Sequence, residues 1–359
     1  MSSGGIYIYG AGENAGKVLE RMKKSNISVD GFVDLFKTGI LYKLPIVSPE
    51  AISGCQVMVI SVQNLYACVE IYKNVKGLTN KIYWFWNCIS GEDFWKDECI
   101  DITEWGQDVL PRLDIHLSDK CNLNCVGCTH FSPLFDEVGC DYETCMYDIN
   151  LALKKFSGIA RLNLLGGEPL LNDDLPRIIA AIRDKLPNTS MVLFTNGLLL
   201  LKVSSLVLDV IKESRIKIYI SEYVPTYRMI NEIEKLLDSK GICYELSGYD
   251  EKKLFNKPLS QTINSKYEKK CMSNGCISIS NGKIARCPTL LYVSKLNEKF
   301  KCSFPTDGIY DLELTGLSGS MLIEKLTEKV SLCDYCIKNE IAWHTCCKER
   351  RITDFVEVV

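Results

Sequence analysis

The sequence has few histidines, no long apolar run and almost no excess of charge. Three histidines occur in the chain, at positions 116, 130 and 344, and His116 falls in mid-strand, where a core position is expected. A net charge of -3 provides no basic field for nucleic acid. No apolar stretch approaches the ~18 residues that a membrane span requires, and the N-terminus enters a strand-like run without the pattern of a signal peptide. We therefore expect a cytoplasmic protein with neither nucleic acid nor membrane as a partner.

Cysteine is the residue in excess. The 359 residues contain 18 cysteines, while 47% hydrophobic and 24% charged residues make an ordinary globular composition. A chain of this length can bury enough core for two or three domains without covalent cross-links. In the cytoplasm cysteines stay reduced, so they are expected to be free thiols, metal ligands or catalytic groups rather than disulfides.

Residues 1–90 read as a Rossmann-like domain. A strand at 6–9 runs into Gly10, Gly12 and a helical period, and a second strand ends at Asp34, where a Rossmann unit places its ribose-binding acid. This region resembles the N-terminal domains of enzymes of bacterial surface-sugar assembly, some of which hold a nucleotide sugar. The resemblance implies nucleotide-sugar contacts at Gly10, Gly12 and Asp34, and a purely structural or docking role remains open. Residues 91–110 are polar and aperiodic, which predicts a linker.

From Leu113 the chain alternates strand and helix signals at the spacing of an α/β fold. Strands are predicted at 113–117, 161–165, 191–197, 216–221 and 242–246, and helices fit between them, for example at 174–186 and 228–240. The pattern favours a parallel sheet or barrel. Chemistry on such a sheet belongs at the carboxyl ends of the strands. A cysteine loop, a Gly-Gly-Glu and a Thr-Asn-Gly all follow strands there.

The cysteine loop "CNLNCVGC" provides three closely spaced thiols. Cys121, Cys125 and Cys128 form C-x3-C-x2-C. A structural zinc site closes with four ligands, whereas three thiolates suit a 4Fe-4S cluster with one iron left open.

These motifs resemble those of the radical S-adenosylmethionine superfamily, over residues 111–250. The resemblance implies a domain at 111–255 folded as a partial (β/α)6 TIM-type barrel, in which Cys121, Cys125 and Cys128 hold a 4Fe-4S cluster and S-adenosylmethionine chelates its fourth iron. It also implies cofactor contacts from the residues that end the next strands: Gly166, Gly167, Glu168, Asn196 and Ser221. One departure is Gly127, which stands where an adenine-stacking ring is usual, so that His130 or Phe131 would have to supply this contact.

Cysteines return in residues 256–359. The alternation around Asn281-Gly282 predicts a β-hairpin that brings flanking cysteines together. The stretch resembles the SPASM and twitch extensions, which bind auxiliary 4Fe-4S clusters, although Ala342 replaces one SPASM cysteine and this favours one auxiliary cluster over two. Two ligand sets compete, and we favour the first: Cys271, Cys287, Cys333 and Cys336, or Cys271, Cys276, Cys287 and Cys346. Zinc on the same thiolates is the alternative.

The resemblance implies an enzyme that cleaves S-adenosylmethionine to a 5'-deoxyadenosyl radical and abstracts hydrogen from a sugar, aminocyclitol or nucleotide sugar, for oxidation or epimerisation. A flavodoxin or ferredoxin would donate the electron. No catalytic residue is assigned, and an epimerase would need a thiol donor, for which three cysteines are unranked candidates: Cys140, Cys145 and Cys302. Peptide modification and a non-enzymatic iron-sulfur redox sensor remain alternatives.

Overall fold

The computed structural model describes residues 4–52, 54–86, 93–250, 254–263, 271 and 275–357. The chain divides into two compact units, residues 1–111 with 188–190 and residues 112–187 with 191–359. Each is described by itself. Across the described ranges, no helix is both long and apolar enough to cross a membrane.

The first unit is a seven-stranded sheet with helices. Its elements are β1 (Ile6–Tyr9), α1 (Glu13–Lys24), β2 (Gly31–Val33), β3 (Gly39–Leu41), β4 (Leu44–Val47), β5 (Cys55–Ile60), α2 (Leu65–Val75), β6 (Thr79–Phe85) and β7 (Cys99–Asp101). The strand order is β3-β4-β2-β1-β5-β6-β7. The central pairs are parallel, whereas β3 and β7 join the edges in antiparallel register.

Helix α1 covers one face of this sheet. Its apolar residues recur at helical spacing, and Val18, Leu19 and Met22 are buried as the sequence predicts. They pack in one cluster with Ile8 of β1 and Phe32 of β2. The glycine turn thus connects a central strand to a well-packed helix.

Residues 94–101 differ from the predicted linker. They form a π-helix at Phe94–Glu98 and strand β7, which pairs with β6. Phe94 is buried, and the carboxylate of Glu98, also buried, accepts hydrogen bonds from Arg21 Nε at 2.7 and 2.9 Å. Phe94, Trp95 and an ion pair hold the segment, and contacts from such adjacent residues leave no periodic pattern in the sequence.

The second unit is built on an eight-stranded sheet. Its elements are β8 (Val109–Ser118), α3 (Tyr142–Lys155), β9 (Gly158–Gly166), α4 (Leu175–Lys185), β10 (Ser190–Thr195), α5 (Ser205–Glu213), β11 (Ile216–Ile220), α6 (Val224–Tyr227), α7 (Ile230–Lys240), β12 (Tyr244–Leu246), β13 (Leu254–Ser260), β14 (Ser278–Ser280), β15 (Lys283–Ala285), α8 (Pro288–Phe300), β16 (Ile309–Asp311), α9 (Gly319–Lys325), β17 (Cys336–Ala342) and β18 (Val356–Glu357).

Strand order follows chain order through the central part of this sheet. It reads β12-β11-β10-β9-β8-β14-β15-β16, so the sheet formed by the described residues is open, with β12 and β16 at its edges. The pairs β10–β11, β11–β12 and β8–β14 are parallel. This is the mixed α/β arrangement, with helices between successive strands, that the sequence predicts for a partial barrel. The strand ends that carry the sequence motifs therefore lie side by side.

The C-terminal hairpin continues the central sheet. Asn281 and Gly282 have φ of 50° and 73°, the left-handed pair of a type I′ turn, and join β14 to β15 as predicted. The carboxylate of Asp148 on α3 accepts hydrogen bonds from both of their backbone N–H groups, at 3.0 and 2.6 Å. Residues 112–187 and 191–250 consequently share one compact unit with the described residues that follow position 253. Strands β13, β17 and β18 form a separate three-stranded sheet.

Candidate iron-sulfur and S-adenosylmethionine site

The cysteine loop leaves β8 in a series of tight turns. Asn124, Gly127 and Phe131 all have positive φ, at 51°, 76° and 53°. Gly127 donates its N–H to Asp354 O at 2.7 Å. Position 127 thus favours glycine because of its left-handed backbone, which explains why an aromatic side chain is absent there. Phe131 is fully buried against Phe355, with ring centroids 5.7 Å apart.

The three thiols of this loop are shielded from water and influence one another. Burial raises the pKa of Cys121 to about 11 and that of Cys125 to about 12, and neighbouring cysteines add to both increases. Burial likewise raises the pKa of Cys128. Free thiolates are therefore disfavoured at this position unless a metal compensates their charge. This donor chemistry suits an iron-sulfur cluster.

The Gly-Gly-Glu segment lies directly against the entrance of the loop. Gly167 N–H donates to Ser118 O at 2.5 Å and Glu168 N–H donates to Lys120 O at 2.9 Å. A Cβ on Gly166 would stand 2.2 Å from Ser118 O, and one on Gly167 would stand 2.2 Å from Lys120 O. Both glycines are thus required by the close approach of two backbone segments.

Glu168 is a fully buried carboxylate at the end of β9. Its oxygens accept hydrogen bonds from Thr195 Oγ1 at 2.7 Å, Asn196 N at 2.9 Å and Leu170 N at 3.1 Å. Burial raises its pKa to about 7, and the three donors limit the increase. The group can therefore exchange a proton near neutrality while its position is fixed by two strand ends.

Asn196 connects the third strand end to the cysteine loop. Its Nδ2 donates to Asn122 Oδ1 at 2.6 Å and lies 3.9 Å from Cys121 Sγ. Ser221 follows β11 and donates its backbone N–H to Thr195 O at 2.9 Å. The predicted residues at the ends of β8, β9 and β10 thus share one region of contacts, and Ser221 is attached to it through its backbone.

Two aromatic residues of this region are absent from the sequence predictions. The pKa of Tyr223 is raised well above its usual range by burial and then by the charges of Cys125, Cys128, Cys121 and Glu168. Trp343 Nε1–H donates to Cys125 Sγ at 3.1 Å. Tyr223 follows a strand end, which is a signal that could have identified it, whereas Trp343 is more than 200 residues from the loop in sequence.

The C-terminal cysteines separate into distinct surroundings. Burial raises the pKa of Cys287 to about 12, with further increases from Cys271 and Cys333. The pKa of Cys336 is also raised to about 12, by burial and then by Cys287, Cys333 and Cys271. These four cysteines therefore lie near one another. Cys287 also caps α8, since its sulfur accepts Leu290 N–H at 3.5 Å.

Cys276 and Cys346 have different neighbours. Burial raises the pKa of Cys276 to about 11, and its charged neighbours are Arg112 and Asp114 before Cys271. Cys346 donates its N–H to Asn124 O of the first cysteine loop at 2.8 Å. In the described ranges, no group of three or more His, Cys, Asp and Glu side chains is arranged around a single metal ion. The thiolates of a 4Fe-4S cluster, by contrast, bind separate irons.

The three cysteines considered as hydrogen donors for an epimerase differ in exposure. Cys145 is fully buried in α3, and its pKa is raised by a hydrogen bond with Cys140 and by burial. Cys140 and Cys302 are partly buried. His116 is 4% exposed, which confirms its predicted core position.

In the first unit, Asp34 is already engaged by the backbone. Its Oδ2 accepts Ala11 N–H at 2.9 Å, and its Oδ1 accepts the N–H groups of Phe36 and Lys37 at 2.9 and 3.1 Å. These three bonds outweigh burial and lower its pKa. A Cβ on Gly10 would lie 2.9 Å from Ser61 Oγ, whereas one on Gly12 would meet nothing within 4 Å. Gly12 precedes α1, whose N-terminus has no side-chain cap.

Comparison with known proteins agrees with the central motifs. A family model described as a 4Fe-4S single cluster domain matches residues 112–221. The GTP 3',8-cyclase of Campylobacter curvus is 28% identical over 145 residues, which cover 36% of this chain and 44% of that protein. The GTP 3',8-cyclase of Clostridium perfringens is 32% identical over 150 residues, covering 38% and 45%. The chain thus spans less than half of the length of these curated relatives.

Among solved structures, BtrN in complex with AdoMet and 2-DOIA is 18% identical with a TM-score of 0.39, covering 63% of this chain and 92% of that one. SuiB of Streptococcus suis is 13% identical with a TM-score of 0.34, covering 62% and 66%. The family match thus covers the region, residues 112–221, that carries the cysteine loop, Gly-Gly-Glu and Thr-Asn-Gly on successive strand ends, and in these motifs the region is similar to the radical S-adenosylmethionine superfamily.

Proposed function

We propose that this protein is a radical S-adenosylmethionine enzyme that removes a hydrogen atom from a sugar-like substrate and completes its oxidation. The observation that carries the proposal is the contact of the cysteine loop with the next strand ends: Asn196 Nδ2 lies 2.6 Å from Asn122 Oδ1 and 3.9 Å from Cys121 Sγ, and Asn196 N–H donates to Glu168 at 2.9 Å. The three thiols would hold a 4Fe-4S cluster, whose open iron would accept the amino and carboxylate groups of S-adenosylmethionine. When bound, the reduced cluster and S-adenosylmethionine supply a carbon-centred radical that abstracts hydrogen from the substrate.

The residues around the loop have positioning roles in this proposal. Glu168 would accept a hydrogen bond from the methionine amino group, because it is a fixed carboxylate beside the loop. Asn196 already contacts the cysteine loop. Asn196 and Ser221 would together orient the ribose or the methionine part of S-adenosylmethionine. Gly166 and Gly167 allow Glu168 to approach the loop at backbone distance.

A polar row on β8 and β9 supports a hydroxylated substrate. Asp114 and His116 are alternate residues of β8 and are buried, as is Asn163 of β9. Asn163 Nδ2 donates to Asp114 Oδ1 at 2.7 Å, and Arg112 binds both oxygens of Asp114 at 2.7 and 2.8 Å. Buried polar groups of this kind are suited to hydrogen-bond a sugar or aminocyclitol.

The C-terminal cysteines support an oxidation. Cys271, Cys287, Cys333 and Cys336 would hold an auxiliary 4Fe-4S cluster, which is the first of the two ligand sets. Such a cluster would take up the electron that a hydroxyl-bearing substrate radical releases when it also loses its hydroxyl proton to solvent and becomes a ketone. A flavodoxin or ferredoxin would reduce the first cluster.

The first unit is proposed to bind the phosphates of a nucleotide sugar. Support comes from the uncapped N-terminus of α1 and the open space beside Gly12. Nucleotide sugars should raise the melting temperature of the full chain. A Gly12→Asp variant should lose this shift, because a carboxylate would cap the helix and repel phosphate. Absence of any shift with the wild type would favour a docking role.

Anaerobic reconstitution tests the enzyme itself. With dithionite and S-adenosylmethionine, the wild type should form 5'-deoxyadenosine, and the triple variant of Cys121, Cys125 and Cys128 to alanine should form none while keeping its auxiliary iron. Iron binding without 5'-deoxyadenosine in the wild type would instead support a redox sensor. A panel of sugars, aminocyclitols and short peptides then distinguishes sugar oxidation from peptide modification, since only a true substrate should increase 5'-deoxyadenosine formation and lose hydrogen.

A further inference from the structure

The indole of Trp343 is placed against a sulfur that the proposed function assigns to the first cluster. Its Nε1–H donates to Cys125 Sγ at 3.1 Å. Indole nitrogen is a donor only, so the direction of this hydrogen bond is fixed whatever the protonation state of the sulfur. Cys125 is buried, which makes the bond electrostatically stronger than it would be in water.

Backbone pairing holds this tryptophan in register with the loop. Residues 343–355, which we call the C-terminal strap, follow β17 and run beside the cysteine loop. Thr345 forms an antiparallel bridge with Cys125. On either side of it, Val126 N–H donates to His344 O at 3.0 Å and Cys346 N–H donates to Asn124 O at 2.8 Å. The strap therefore has two backbone hydrogen bonds flanking the cysteine whose sulfur Trp343 contacts.

Further contacts fix the strap and the ring. Near the end of the strap, Asp354 O accepts a hydrogen bond from Gly127 N–H at 2.7 Å. Arg350 Nε of the strap donates to Pro133 O at 3.1 Å. The Trp343 ring packs on Tyr223, with centroids 5.1 Å apart and planes tilted by 44°. The indole N–H is thus held at the sulfur by packing as well as by the backbone.

A donor at a cluster sulfur changes the energetics of electron uptake. The reduced cluster carries one more negative charge than the oxidised cluster, and part of that charge resides on the thiolates. An N–H that points at a thiolate sulfur stabilises the reduced form more than the oxidised form, and hydrogen bonds to sulfur are one of the factors that set the potential of such clusters.

We infer that Trp343 is a positioning residue that raises the reduction potential of the first cluster through its N–H bond to Cys125. This inference rests on the proposed function, because it requires Cys125 to be a cluster ligand. It gives the C-terminal strap a role in electron uptake by the first cluster, in addition to completing the fold. The strap pairs with the loop through backbone groups, and the Trp343 indole adds a side-chain hydrogen bond to a sulfur of the loop.

The test compares Trp343→Phe with the wild type as full-length, anaerobically reconstituted protein. Phenylalanine keeps an aromatic ring against Tyr223 but has no N–H. An EPR-monitored redox titration should show the first cluster at a more negative potential in the variant, with unchanged iron content. The first cluster is recognised as the one whose signal changes when S-adenosylmethionine is added. His344→Ala is the matched control, because the exposed His344 side chain bonds Ala342 O and not the cysteine loop in the described residues. The reduction potential of the first cluster in this variant should equal that of the wild type.

Spectroscopy of the wild type keeps the inference testable if the variant assembles poorly. Protein labelled with 15N in the indole ring should show a coupling between this nitrogen and the reduced first cluster by pulsed EPR, and the coupling should be lost in Trp343→Phe. The other four tryptophans lie in residues 84–105. Equal potentials in wild type and Trp343→Phe, or no 15N coupling in an assembled wild type, would overturn the inference. A wild type that binds no cluster on Cys121, Cys125 and Cys128 would instead overturn the proposed function.

Discussion

Glu168 is an ionisable residue whose position is fixed by the fold. It is fully buried, and its hydrogen bonds come from the end of β10 and from its own turn. A buried carboxylate without a cationic partner is costly, and its raised pKa expresses this cost. A cationic amino group bound there would stabilise the ionised form, which agrees with the role proposed for it.

The first prediction concerns the stability of the metal-free protein as a function of pH. The pKa of Glu168 rises from 4.5 to about 7 on folding, so the folded state holds this proton more tightly and the stability due to Glu168 falls as pH increases through this range. The loss amounts to about 3 kcal/mol at most. Glu168→Gln cannot ionise, so the wild type should lose stability relative to this variant as the pH increases from 5 to 8.

Urea unfolding of both proteins at several pH values measures this difference. Glu143→Gln serves as the control, because the exposed carboxylate of Glu143 forms a weak surface pair with Arg177, 3.7 Å away. The difference in unfolding free energy between this variant and the wild type should stay constant with pH. A constant difference for Glu168→Gln would contradict the prediction.

A second prediction concerns Gly166. Alanine at this position would place Cβ 2.2 Å from Ser118 O on a backbone with φ of 137°. We expect Gly166→Ala to lower the free energy of unfolding by at least about 2 kcal/mol. Gly316→Ala is the control, since its Cβ would meet nothing within 4 Å and its change should stay within about 0.5 kcal/mol. Similar denaturation midpoints for the two variants would contradict the prediction and show that the strand ends can move apart with little loss of stability.

Sequence and structure diverge most at residues that act through tertiary contacts. The motif cysteines and Glu168 are recognisable because each follows a predicted strand. Gly127 is an exception to the motif whose cause is visible only in the backbone, where the left-handed turn and the bond to Asp354 meet. Trp343 reaches Cys125 from a distant part of the chain, and no local pattern reports such a contact.

At the scale of elements, periodic segments were predictable and short edge pairings were not. The strands predicted at 113–117, 161–165 and 216–221 are apolar runs bounded by turns, and they correspond to β8, β9 and β11. Strand β7 has three residues and exists because it pairs with β6. The pairing of β13 with β17 joins segments about 80 residues apart, so its partner cannot be read from either segment alone.

The third prediction concerns the bond between α3 and the C-terminal hairpin. Asp148→Ala removes the acceptor of two backbone N–H groups, at Asn281 and Gly282, and should cost about 2 to 4 kcal/mol of stability. Hydrogen exchange should accelerate at these two amides and along β15, whereas α4 should keep its protection. Asp184→Ala, at an exposed position of α4, should change neither quantity. Unchanged exchange at the hairpin would mean that its turn is stable without α3.

At the scale of the whole molecule, the seven cysteines proposed as cluster ligands form two groups with different partners. One group follows β8 and is joined by the C-terminal strap, and the other brings together Cys271, Cys287, Cys333 and Cys336. Cys346 belongs to the strap, which places it with the first group. Two groups of thiols predict two clusters and therefore about eight irons per chain.

The fourth prediction distinguishes the two auxiliary ligand sets by iron content. Cys336→Ala should reduce the iron from about eight to about four per chain, because it removes a ligand from the second group. Cys346→Ala should keep about eight, since the backbone N–H of Cys346 donates to Asn124 O of the first cysteine loop. Both variants should still form 5'-deoxyadenosine, which shows that the first cluster is intact. If Cys346→Ala loses iron and Cys336→Ala keeps it, the auxiliary cluster belongs to Cys271, Cys276, Cys287 and Cys346. A wild type with about four irons and bound zinc would instead assign the second group of cysteines to zinc.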